Sequence, residues 1–238
     1  MSVGLVIYNE RGGVVLDSTS PQYRFVRKVN MIMFSPAPST PYWKSYRADI
    51  TGDFKDSCII VVEHPEGQTG SYKVTTSGGR YYVTSMFGSS DITLKVFSTP
   101  PVCYIFSDAP PPASTSTFGM EITGEFGKVI LNTDYPLLKV IDFREITTLA
   151  SAQWYPVWTY VRSSAGQLLA VETMAGQTGA GFTPEGFTVQ GWTIETKNEG
   201  GSFFIRTAEY EQTMGDAEVE RTISMRVRII LIQKPLTI

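Results

Sequence analysis

Residues 4–26 read GLVIYNERGGVVLDSTSPQYRFV, and residues 119–141 read GMEITGEFGKVILNTDYPLLKVI. The two stretches align without a gap, 115 residues apart, as Gly4 is from Gly119. Seven pairs are identical: Gly4/Gly119, Ile7/Ile122, Glu10/Glu125, Gly12/Gly127, Val14/Val129, Leu16/Leu131 and Pro21/Pro136. Leu5 and Ile7, then Val14 and Leu16, alternate around a glycine-containing turn, which is the pattern of a β-hairpin. Met120, Ile122, Val129 and Leu131 repeat it around Gly124-Glu125-Phe126-Gly127. Pro21 and Pro136 then end the second strand, because proline donates no hydrogen bond to a ladder.

A second match lies downstream. Val62-Glu63 is followed by Gly67-Gln68-Thr69-Gly70, and Val171-Glu172 by Gly176-Gln177-Thr178-Gly179, with the same internal spacing and an offset of 109. Two matches in the same order predict the duplication of one strand-rich unit. Between the copies runs Ser107-Asp108-Ala109-Pro110-Pro111-Pro112-Ala113-Ser114-Thr115-Ser116-Thr117. That composition builds no core, and its prolines favour extended chain. The expected organisation is a first domain over residues 1–106, a semi-rigid linker over 107–117, and a second, longer domain over 118–238.

Further strands are predicted over 23–34, 46–50, 57–63, 71–76, 80–86 and 91–97, and over 137–142, 157–162, 167–172, 187–195, 202–209 and 220–232. Most are rich in Val, Ile, Thr, Tyr and Phe and bounded by Gly, Pro, Ser or Asp. Gly78-Gly79 and Gly200-Gly201 read as hairpin turns. Ile223, Met225, Val227 and Ile229 alternate with Ser224, Arg226 and Arg228, giving one buried and one wet face. The one candidate for helix is a turn at Ala208–Glu211, limited by Gly215. The fold class expected is all-β, with two tandem related domains that are β-sandwich-like or small barrels.

Composition narrows the function. A hydrophobic share of 42% supplies a core, and the net charge of −3 gives no whole-molecule attraction to nucleic acid. No apolar run reaches the roughly 18 residues of a membrane span. The apolar start Met1–Tyr8 lacks a basic region and is not read as a signal peptide. Cys58 and Cys103 are too few for a disulfide scaffold and lack metal-ligand spacing. His64, the single histidine, precedes Pro65 at a strand end and reads as a surface turn residue. The carboxylate pairs Asp53/Asp56 and Glu209/Glu211 read as solvated charge. No catalytic constellation and no cofactor or metal site is expected.

Aromatic clusters stand out instead. Tyr42 and Trp43 in one copy, and Trp154, Tyr155, Trp158 and Tyr160 in the other, lie in roughly corresponding places. Such rings fill a core, or they form an interface or a ligand surface, because they combine flat apolar area with a polar edge. Arg226 and Arg228 join them as candidate interface residues, against the simpler reading of a solvated strand face.

The opening GLVIYNERGGVVLDS resembles the glycine-and-alternation openings of small virion proteins of tailed bacteriophages, the tail and minor tail proteins. The junction VCYIFSDAPPPASTSTFGMEITGEFGKVILNTDYPLLKVID is similar to the same type. An aromatic strand there ends in an acidic-Pro segment and leads into the Gly-hydrophobic hairpin. The second copy departs from the pattern at Gly124 and Asn132. The resemblance implies a structural role in a virion tail, near its tip or at fibre attachment, after synthesis in the host bacterial cytoplasm. It implies contacts with other tail proteins and a homo-oligomer, and it brings no catalytic residues. A host-surface receptor-binding module and a capsid decoration protein are the alternatives.

Overall fold

Period-two alternation dominates this sequence, and among the described residues the structure contains strands and turns but no helix. The computed structural model describes residues 6–8, 14–17, 23–34, 45–53, 58–87, 97–109, 119–123, 129–151, 159–161, 166–172, 179–183, 186–213 and 222–235. The first half contributes β1 (Val6–Tyr8), β2 (Val14–Asp17), β3 (Arg24–Asn30), β4 (Ile32–Phe34), β5 (Ser45–Asp49), β6 (Cys58–Glu63), β7 (Thr69–Ser77), β8 (Arg80–Phe87) and β9 (Val102–Ser107). The second contributes β10 (Glu121–Thr123), β11 (Val129–Asn132), β12 (Val140–Ser151), β13 (Thr159–Val161), β14 (Gln167–Glu172), β15 (Gly179–Thr183), β16 (Gly186–Glu199), β17 (Ser202–Thr213) and β18 (Thr222–Gln233).

The repeated stretches form the hairpins β1–β2 and β10–β11, and their registers coincide. Ile7 pairs with Leu16 and Tyr8 with Val14, a bulge leaving Val15 over. Ile122 pairs with Leu131 and Thr123 with Val129, leaving Ile130 over at the same place. The next strands repeat too. The sheets β3-β9-β6 and β12-β18-β14 are both three-stranded, with the last strand of each half in the centre. In β3 the register against β9 shifts between Phe25 and Arg27. In β12 the register against β18 shifts between Val140 and Asp142. The odd residues out, Val26 and Ile141, are counterparts in the alignment.

The remaining strands form one eight-stranded sheet in the order β13-β17-β16-β7-β8-β5-β4, with β15 attached to β16. Gly78-Gly79 closes β7 onto β8 and Gly200-Gly201 closes β16 onto β17. All four glycines have φ between 58° and 75°, the left-handed backbone that a two-residue hairpin turn demands.

Three apolar clusters follow from this layering. Met31, Ile50, Val83, Cys103 and Ile105 centre the first, with Tyr72 and Tyr81 against it. Ile146, Val161, Ile194, Phe203, Ile205, Ile229 and Leu231 form the second, and occupy the matching ladder positions. The third lies between the halves: Val61, Tyr104 and Phe106 meet Leu168, Ala170 and Ile232. Each fully buried aliphatic or aromatic side chain contributes about 1.5–3 kcal/mol.

Some expectations are corrected. Ala208–Glu211 is not helical but lies within β17, because Thr207–Thr213 pair with Thr188–Ile194 of β16 and the ladder overrides local helix preference. Phe97, expected to close a strand, is a buried residue outside any strand; residues 91–96 lie outside the described residues. Ser107 is not linker but the buried end of β9, and Arg24 Nε donates to the Ala109 carbonyl at 3.0 Å. Residues 110–117 lie outside the described residues.

Candidate functional site

Of the candidate interface residues, Tyr42, Trp43, Trp154, Tyr155 and Trp158 lie outside the described residues. Tyr160 sits on β13 and is 56% exposed. Its ring meets Phe204 edge-on at 5.7 Å between centroids, and the Lys197 ammonium lies 5.2 Å from the Phe204 centroid. Arg226 is on β18 opposite Thr147. Arg228 is exposed on the same strand, opposite Glu145 and Glu172, with its Nε 3.8 Å from a Glu145 oxygen. The wet face expected for this strand thus holds at Arg228, between the buried Val227 and Ile229. Tyr160 and Arg228 belong to different sheets, so they do not share a strand ladder.

The polar side chains that the fold does concentrate were not foreseen. His64 is not a surface turn residue: it is 5% exposed. Its Nε2 lies 2.9 Å from Ser85 Oγ, and its Nδ1 lies 3.3 Å from Thr196 Oγ1, in the other half of the chain. One face stacks on Phe97 at 5.3 Å. Gly70 lets it in: a Cβ there would stand 2.3 Å from His64 Nε2. Burial drives the imidazole pKa down to about 3, so it is neutral around pH 7. A neutral imidazole donates from one nitrogen and accepts at the other, and the two hydroxyls suit either tautomer.

The Ser85–His64 contact has the spacing of a nucleophile and base, but not the surroundings. Ser85 is wholly buried, and Thr196, not a carboxylate, faces the second imidazole nitrogen. An imidazole whose pKa lies near 3 is a weak proton acceptor at neutral pH. The arrangement is a hydrogen-bonded plug between halves.

Two ion pairs involve the neighbours in sequence of His64 and Thr196. Glu63 accepts from the Tyr104 hydroxyl at 2.8 Å and from Lys234 Nζ at 2.7 Å. Burial, then the adjacent Glu63, push the Tyr104 phenol up. Glu195 and Arg206 form a buried pair, Arg206 Nε donating at 2.6 Å. Burial raises the Glu195 pKa in spite of Arg206. A small cleft along the seam is lined by Glu63, His64, Leu168, Thr196 and Asn198.

Cys58 and Cys103 are free thiols. Burial pushes the Cys103 thiol up to about 12, so it packs as a small apolar group. Among the described residues no group of three His, Cys, Asp or Glu gathers to hold a metal, and no helix is long and apolar enough to cross a membrane. Compared with protein families, curated proteins and solved structures, the chain matches none of them.

Proposed function

We propose that the chain is a non-enzymatic structural component of a bacteriophage virion, a tail or tail-tip assembly protein that works within a symmetric homo-oligomer. The observation that carries this reading is the pair of hairpins. The two segments that resemble tail proteins fold alike, with the same register and the same bulge. The surface is suited to neighbours as well. Met120, Val140, Ile141 and Phe143 are exposed, the last three on β12, which among the described strands pairs with β18 alone. An open edge carrying apolar side chains favours association with another protein. Mass spectrometry of purified particles tests the proposal: the chain's peptides are expected in the particle, and their absence overturns it.

A second reading, a module that binds a host-surface glycan or protein, is favoured by the exposed Tyr160, whose ring meets the half-buried Phe204 beside Lys197. Flat rings with a polar edge stack against sugars and anchor protein contacts. Under this reading Tyr160→Ala lowers adsorption to host cells while the fold survives. Unchanged adsorption removes it.

A further inference from the structure

Across the seam, residues meet their own counterparts. An isolated bridge joins Arg24 to Leu137; the Leu138 N–H donates to the Tyr23 carbonyl and the Phe25 N–H to the Pro136 carbonyl, both at 2.8 Å. That antiparallel register sets Tyr23 opposite Leu138, and these two are equivalent in the repeat. In the eight-stranded sheet the two halves join through equivalent strands. β16 is the counterpart of β7, since each leads into its Gly-Gly turn and the next long strand. The two pair antiparallel, Gly70 with Thr196 and Thr69 with Lys197. The cluster between the halves is built likewise. Ile59 and Leu168, Val61 and Ala170, Tyr104 and Ile230, Phe106 and Ile232 are matched positions, and all lie in it.

Antiparallel pairing of equivalent strands, with equivalent residues opposed, is the signature of a two-fold axis. We infer that the chain is a covalent pseudo-dimer: its halves pair face to face through one repeated surface, as two copies of a smaller protein would. The partner of the first half's β6–β9 face is therefore the second half of the same chain.

Polar groups disfavour one wrong arrangement, the pairing of two first halves. Lys234 stands where the first half has Asp108, because Gln233 pairs with Gln167 as Ser107 pairs with Cys58. In the observed arrangement Glu63 meets Lys234 at 2.7 Å. Two first halves would set Glu63 against Asp108, a like-charge contact that disfavours the wrong pairing. His64 adds a second mark, for it bonds Thr196 across the seam and its counterpart is Thr173. The association is thus carried by the seam.

The test keeps the full chain. A protease recognition sequence inserted between Pro112 and Ala113 is cleaved in the folded protein, and the product is examined by native mass spectrometry. The expected product is a one-to-one pair of fragments, separating only in denaturant. Spontaneous separation in native buffer overturns the inference. In the nicked protein Glu63→Lys is expected to weaken the pair at least about tenfold, and Glu63→Lys with Lys234→Glu to restore most of that loss. A double variant no tighter than Glu63→Lys overturns the assignment of halves by charge.

Discussion

The buried imidazole of His64 makes a quantitative prediction about pH. Its folded pKa is about 3, while an imidazole in the unfolded chain titrates near about 6.5. Between those values the unfolded chain binds a proton that the folded chain refuses. Stability therefore rises with pH through this window, and acid withdraws it. Each pH unit below the unfolded pKa costs about 1.4 kcal/mol, so moving from about pH 7.5 to about pH 5 costs about 2 kcal/mol from this one group. The loss levels off near pH 3, where the folded imidazole itself takes a proton. Carboxylates titrate in the same range, so the variant His64→Gln supplies the reference. Urea unfolding of both proteins at both pH values gives four free energies. The native protein is expected to lose about 2 kcal/mol more than His64→Gln. Equal losses would mean that the folded imidazole ionises freely, and would refute the sealed environment formed by Ser85, Thr196, Phe97 and Gly70.

Three further outcomes are expected. Gly70→Ala drives a methyl into the His64 ring and lowers stability by about 1–3 kcal/mol in urea unfolding; most of that cost disappears in a His64→Ala background. Ile105→Ala and Leu231→Ala empty matched positions of the two half-cores, and each costs about 2–5 kcal/mol by thermal or urea unfolding. Arg206→Met strands the Glu195 carboxylate in a buried site at a cost of about 3–5 kcal/mol, and adding Glu195→Leu recovers most of it in the same assay.

Local signals were legible wherever one strand face is wet. The hairpins around Gly78-Gly79 and Gly200-Gly201 followed from turn chemistry, and β18 from the alternation of Val227, Arg228 and Ile229. β9 was harder to read. Cys103 and Ile105 point into the first core, while Tyr104 and Phe106 point into the seam, so Val102–Phe106 is apolar throughout and shows no alternation. The burial of His64 is hidden from the sequence for a different reason. Its hydrogen-bond partners lie 21 and 132 residues away, and no local pattern announces them. The repeat was visible because bulges and turn glycines leave traces in sequence. The face-to-face pairing of the halves was not, since it depends on which apolar faces the fold leaves to meet. Of the candidate interface residues, Tyr160 and Arg228 are exposed. Nothing local in the sequence separated them from Glu63, His64 and Lys234, which the fold draws together at the seam.

The proposed function makes this chain a building block of a virion tail. Immunogold labelling of phage particles purified from cells that produce the chain, with antibody raised against the folded chain, tests that proposal most directly. The account predicts gold confined to the tail, clustered at its tip. Gold on the capsid, or no gold on particles while infected cells contain the protein, would contradict it.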